Sequence, residues 1–149
     1  MTPRGARTCE IPAAFYGARV MKKLIALVSS LLLAAALFAN TGKVPDIAQA
    51  DLQKAIAAKS VTVLDVNGTD SFQEGRIPGA IDYIANEAKL ASLLPMDKKA
   101  LIVAYCGNKY CTAYQAAASA AVALGYTNVK HYSPGIDGWK KSGAKIEKS

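Results

Sequence analysis

The chain is poor in the residues from which metal sites and acid–base dyads are usually built. It has one histidine, His131, and three cysteines, Cys9, Cys106 and Cys111. Cys9 precedes a leader-like segment, so two cysteines and one histidine remain for the mature chain. That is a poor tetrahedral donor set, and neither a zinc centre nor any other metal or cofactor is expected. No serine or carboxylate pattern lies beside His131, which reads as a satisfied histidine rather than a catalytic base. A basic run interleaved with aromatics is also missing, so nucleic acid is not an expected partner despite a formal charge of +7. Residues 1–39 hold Arg4, Arg7, Arg19, Lys22 and Lys23 against Glu10; without them 13 basic and 10 acidic residues leave a net of +3. Such a surface is ordinary for a soluble domain. There is no internal repeat, and no compositional bias beyond enrichment in alanine.

Residues 21–39 carry the one strong targeting pattern. Met21, Lys22 and Lys23 lead an apolar stretch from Leu24 to Ala39 that ends in small residues, as a secretory signal peptide does. The stretch is shorter than the about 20 residues that a membrane span needs. Cleavage after Ala39 is expected, and an uncleaved anchor is the alternative. Met21 reads as the natural start, which leaves 1–20 as an over-extended N-terminus. The mature protein is therefore expected to be exported, to the periplasm of a bacterium, without stable membrane association.

The remaining residues, 43–149, are enough for one domain. Ile47, Leu52, Ile56 and Ala57 recur at helical spacing, with Asp46 placed to cap that helix after Pro45. Val61 to Val66 is a β-branched run ending at Asn67 and Gly68, a strand and a turn. A short helix over Asp70 to Glu74 stops at Gly75, and Ile77 to Ile81 bends into a second strand. Ala85 to Leu94 reads as a helix ended by Pro95. Ala100 to Tyr105 is continuously apolar, as a central parallel strand buried on both faces tends to be. Thr112 to Leu124 forms the long helix with Gly125 as its cap, then Val129 to Tyr132 a last strand, and a short helix surrounds Trp139. Strands alternating with helices predict an α/β domain with a mainly parallel sheet.

The chemistry concentrates where the central strand stops. Cys106 follows Tyr105, and Gly107, Asn108, Lys109, Tyr110, Cys111 and Thr112 lead into the alanine-rich helix. Loop amides and the positive end of a helix dipole favour an anion and lower the pKa of a thiol set among them. Cys106 is therefore the candidate nucleophile, and Gly107 to Thr112 the candidate substrate or anion-binding loop.

Four ordered pieces resemble a single-domain rhodanese, the thiosulfate sulfurtransferase-like family. They are Leu64-Asp65-Val66; Phe72 to Ile81 with its Gly75-Arg76-Ile77-Pro78-Gly79-Ala80; Tyr105-Cys106; and Gly125 to Val129 followed by Gly135 to Trp139. The resemblance implies a rhodanese-like open five-stranded sheet, mainly parallel and flanked by helices. It also implies a Cys106 thiolate that takes sulfane sulfur from a donor, holds it as a persulfide and passes it to a thiol or other thiophilic acceptor. The partner is then a small sulfur compound or a protein thiol.

The chain departs from the family at four places. Cys111 stands where an arginine usually closes the loop, the loop is longer by one or two residues, Arg76 replaces a histidine, and Asn67 replaces an arginine. Losing the loop arginine removes a bidentate anion-binding group, for which Lys109 substitutes only as a point charge. Family subgroups with a second loop cysteine resemble the present one. Cys111 keeps three readings: a resolving thiol, a structural disulfide partner, or a small residue at the helix start. Asp65 and Arg76 are expected in support, with Asp65 orienting a loop through hydrogen bonds or meeting Arg76. Trp139 reads as a core plug. A thiol–disulfide redox protein using Cys106 and Cys111, or a non-catalytic rhodanese-like binding module, remain as alternatives to the sulfurtransferase. A phosphatase is disfavoured because the loop has no arginine to hold a phosphoryl group.

Overall fold

The computed structural model describes residues 44–149. The expected leader and the expected over-extended N-terminus lie outside the described residues. Helix α1 spans Gln49–Ala57, strand β1 Val61–Asp65, helix α2 Thr69–Glu74 and strand β2 Ile81–Asp82. Helix α3 (Tyr83–Asn86), a 3₁₀ turn (Glu87–Lys89) and helix α4 (Leu90–Leu93) follow. Strand β3 (Leu101–Tyr105), helix α5 (Tyr114–Ala123), strand β4 (Val129–His131) and helix α6 (Gly135–Lys141) complete the described chain.

The strands form one sheet in the order β2-β1-β3-β4, and every pairing in it is parallel. The fold class expected from the sequence is right, but among the described residues the sheet has four strands rather than five. The missing strand is reduced to a single parallel bridge between Asp46 and His131. There the Ile47 amide donates to the His131 carbonyl (2.8 Å) and the His131 amide to the Pro45 carbonyl (2.9 Å). Pro45 has no N–H to extend the ladder, and α1 begins three residues after Asp46, so nothing longer fits.

Two further expectations are corrected. Asp46 does not cap α1, whose N-cap is Ala48. Its carboxylate instead accepts from the Ser133 amide (2.9 Å) and hydroxyl (2.7 Å), tying the start of the domain to the turn before α6. The helix expected over Ala85 to Leu94 is broken into α3, the 3₁₀ turn and α4. Asn86 before that turn and Lys89 at its end have φ of −122° and −110°, outside the helical range.

Strand alternation sends the core to both faces of the sheet. Leu64, Ile102 and Ala104 pack with Tyr83, Leu90, Tyr114 and the small face of α5, where Ala117, Ala118 and Ala121 allow close approach. Val63, Val103 and Tyr105 pack on the other side with Leu52 of α1 and with Ile136 and Trp139 of α6. Trp139 is indeed buried, and its indole N–H donates to the Lys145 carbonyl at 2.7 Å. His131 is buried too, its ring stacked on Tyr114 and its Nδ1 4.0 Å from Asp46.

Candidate active site

Strand β3 is flanked by β1 and β4, so its C-terminal end opens at the middle of the sheet. Chain direction makes that end special. From β1 the chain moves outward to β2, then crosses back to β3 on the other side of β1. The crevice at the carboxyl ends of β1 and β3 is thus a topological switch point, the place where open parallel sheets bind ligands. Asp65 ends one of these strands, and Cys106 follows the other. The sequence-predicted nucleophile and Asp65 therefore lie at the carboxyl ends of neighbouring strands, where Asp65 pairs with Tyr105, the residue before Cys106.

The loop from Cys106 to Ala113 is folded by its own polar groups. The Asn108 side-chain oxygen accepts from the Tyr110 amide (3.0 Å), and the Asn108 carbonyl accepts from the Cys111 amide (3.1 Å). This asparagine turn is a strong local preference of the residue. It brings Cys111 back to Cys106, and the two are joined by a disulfide with their Cα atoms 6.2 Å apart. Cys106 is 1% exposed, while Cys111 is partly open to solvent. Among the described residues, none accepts a hydrogen bond from the amides of Gly107, Asn108 or Lys109. These are the donors an anion in the loop can use.

A second element fixes the loop from behind. The amides of Ile136 and Asp137, which open α6 and have no partner within the helix, donate to the carbonyls of Cys106 (2.9 Å) and Gly107 (3.0 Å). For the backbones to come this close, the residue before Ile136 must have no side chain. Gly135 has φ +62°, and a Cβ there would lie 2.4 Å from the Cys106 carbonyl oxygen and 2.6 Å from the Gly107 carbonyl carbon. The sequence marks Gly135 as part of a turn, but its contact with the cysteine loop is visible only in the fold.

Asp65 does orient a loop by hydrogen bonds. One carboxylate oxygen accepts from the Asn67 amide (2.8 Å) and side-chain N–H (2.7 Å), and the other accepts from the Tyr105 hydroxyl. The Tyr105 hydroxyl in turn accepts from the Ile77 amide at 3.1 Å. Because Asp65 takes the Asn67 amide nitrogen, the Asn67 oxygen is left facing Gly107, 3.5 Å from the position of a Cβ on that glycine. Burial pushes the Asp65 carboxyl above its usual range, opposed by the hydrogen bonds from Tyr105 and Asn67, and the charge of Asp82 adds to the rise. Burial and the neighbouring Asp65 charge likewise push the Tyr105 hydroxyl well above its usual value, so it stays protonated and donates. Tyr105 was visible in the sequence only as the end of an apolar run; its polar role depends on partners far away in the chain.

The other predicted residues lie further out. Lys109 is exposed, with its ammonium over the Tyr110 ring at 5.0 Å, and Tyr110 is itself 81% exposed. Both line a cleft of about 410 Å³ between the loop and α6, together with Pro134, Asp137 and Lys141. Thr112 is exposed and its carbonyl accepts from Gln115 at 3.0 Å, starting the turn into α5. Arg76 is not drawn into the loop. Its guanidinium covers the Phe72 ring at 4.4 Å, donates to the Ser149 hydroxyl (2.9 Å) and lies 3.7 Å from the Glu147 carboxylate. Among the described residues, no cluster of three or more His, Cys, Asp or Glu side chains could hold a metal ion.

Comparison with known proteins agrees with this geometry. The family model of the rhodanese-like domain matches residues 48–142. An HTH-type transcriptional regulator of Mycobacterium tuberculosis is 34% identical over 102 residues, which are 68% of this chain and 44% of that protein. The chain thus spans less than half the length of that curated relative. The solution structure of a rhodanese-like domain from Anabaena is similar with a TM-score of 0.56 at 23% identity, over 70% of this chain and 80% of that one. The human single-domain sulfurtransferase is similar with a TM-score of 0.51 at 22% identity, over 65% of this chain and 96% of that one. At these identities the two structures speak for the fold. The family match and the cysteine at the switch point carry the rest: this chain belongs to the rhodanese-like domain family.

Proposed function

We infer that the protein is a sulfurtransferase in which Cys106, once reduced, carries sulfane sulfur as a persulfide. The observation that carries this reading is the seat of Cys106 at the carboxyl end of the central strand, inside a loop whose Gly107, Asn108 and Lys109 amides have no acceptor among the described residues. A thiolate there attacks the sulfane sulfur of a donor, and the donor's remaining anion leaves. The same amides stabilise the thiolate, the persulfide and the departing anion in turn. A thiol or other thiophilic acceptor then takes the sulfur. In place of the arginine that this loop lacks, Lys109 supplies a mobile positive charge at the rim, which favours small anionic donors without fixing their orientation. The acceptor is a small sulfur compound or a protein thiol, acting without nucleic acid or a membrane surface.

The test is mass spectrometry of the reduced Cys111→Ser protein, which lacks the second loop thiol, incubated with thiosulfate or a hydropersulfide. One added sulfur on Cys106 is expected, and its absence with both donors refutes the reading. We place the mature protein outside the cytoplasm, on the leader-like residues 21–39. N-terminal sequencing of the mature chain should begin after Ala39; a chain that keeps Met21 refutes export by cleavage.

The Cys106–Cys111 disulfide favours a second reading, a thiol–disulfide redox protein. That reading predicts that the pair interconverts reversibly when thiols are alkylated at defined redox potentials. A bond that resists ordinary dithiols removes it.

A further inference from the structure

We propose that Cys111 discharges the Cys106 persulfide as hydrogen sulfide, so that each turnover ends in the Cys106–Cys111 disulfide and a dithiol reductant must reset the site. This rests on the sulfurtransferase reading and adds a product and a class of partner to it. Asn108 supplies the geometry. Its carbonyl and side-chain oxygen hold the amides of Cys111 and Tyr110, so that Cys111 lies within bonding reach of Cys106 across a turn of the loop itself. An intramolecular thiol held at that position outcompetes a dissolved one.

The chemistry balances without a further oxidant. The Cys111 thiolate attacks the Cys106 sulfur of the protonated persulfide. A bond forms between the two cysteine sulfurs, the bond to the outer sulfur breaks, and that sulfur leaves as HS⁻ with the persulfide's proton. The sulfane sulfur is reduced to sulfide, and the two cysteine sulfurs are oxidised to the disulfide. The dithiol partner then reverses only the last oxidation and becomes a disulfide itself.

Exposure sets the direction of that reset. Cys106 is 1% exposed and Cys111 is partly open, beside the exposed Tyr110. An incoming thiolate therefore meets Cys111 and forms its mixed disulfide there, and Cys106 leaves as the thiolate, ready for the next donor. A purely structural bond fits the site less well, because a ring this short gains less from closure than a longer one does.

The experiment uses fully reduced, desalted protein mixed with thiosulfate in the absence of any other thiol. The wild type should release sulfide in stoichiometric amount, lose both free thiols of the loop and then stop. Cys111→Ser should instead keep one extra sulfur on Cys106 and release no sulfide until a thiol is added. Circular dichroism of the variant checks that α5 and the rest of the domain are intact. If the wild type retains the extra sulfur and a free Cys111, with no more sulfide than the variant, the discharge step is wrong and the transferase reading stands. If neither protein gains sulfur nor releases sulfide, from thiosulfate or from glutathione persulfide, the transferase reading fails and takes this step with it.

Discussion

Gly135→Ala isolates the contact on which the cysteine loop rests. The substitution has two costs that can be worked separately. An alanine held at φ +62° costs about 1–2 kcal/mol for the left-handed backbone alone. Its methyl group would also stand 2.4 Å from the Cys106 oxygen, 2.6 Å from the Gly107 carbonyl carbon and 2.7 Å from the Asn108 nitrogen, all backbone atoms that no side-chain rotation can move. Relief needs a retreat of about 1 Å, an overpacking that typically costs 1–3 kcal/mol. That retreat stretches the bonds from Ile136 to Cys106 and from Asp137 to Gly107, each contributing about 1 kcal/mol. The total is about 4–7 kcal/mol, a large part of the 5–15 kcal/mol that holds a domain of this kind together. Gly125→Ala is the matched control, because Gly125 has φ +90° with nothing within 4 Å of its would-be Cβ. It should lose only the backbone contribution, about 1–2 kcal/mol. Urea unfolding of both variants, compared at equal slope, reads the difference. A Gly135→Ala protein as stable as Gly125→Ala, or one that still forms the Cys106 persulfide at the wild-type rate, would refute the claim that this glycine seats the loop.

Three other outcomes are expected. Reducing the Cys106–Cys111 bond should lower stability by about 2 kcal/mol, the loop-entropy value for a ring with a sequence separation of 5, and leave the circular dichroism nearly unchanged; loss of the folded state on reduction would show the bond to be a structural staple. Tyr105→Phe leaves the buried Ile77 amide without its acceptor and Asp65 without a donor, so a loss of about 1–3 kcal/mol is expected by urea unfolding, and a neutral result would remove the hydroxyl from the account of the site. Because the Asp65 carboxyl is raised in the folded protein, the folded state takes up its proton at a higher pH than the unfolded chain does. In the window just above the ordinary carboxylate value of about 3.9 the folded state therefore binds more protons, and the Asp65 contribution to stability rises as pH falls and is lost as pH rises. Asp65→Asn should flatten that part of the pH–stability curve; an unchanged curve refutes the assignment.

What could be read from the sequence was what depends on neighbours in the chain. The apolar run before Cys106, the turn chemistry of Asn67-Gly68 and the alanine face of α5 gave the parallel α/β plan and placed Cys106 at a strand end. Two of the misses involve partners far away. Asp46 looks like a cap for the helix beside it, yet its carboxylate is taken by Ser133, 87 residues on. Arg76 looks like loop support, yet Ser149 and Glu147 hold it. Asp65 does make hydrogen bonds to the turn that follows it, but its other partner, Tyr105, lies 40 residues away and read as apolar strand. The fifth strand came with the family resemblance rather than with the residues, and Pro45 together with the early start of α1 reduces it to one bridge.

The packing of α6 has a practical consequence. Trp139 is the single tryptophan of the chain, and it sits on the short helix whose first amides grip the carbonyls of Cys106 and Gly107. Its indole meets the Tyr132 ring edge-on at 5.9 Å and is shut away from water. Its fluorescence therefore comes from one place, about one turn of helix from the amides that hold the cysteine loop. Any shift of the loop when its disulfide is reduced is passed to that helix through two hydrogen bonds. The protein thus carries its own optical reporter, and stopped-flow emission can time that reduction without a label.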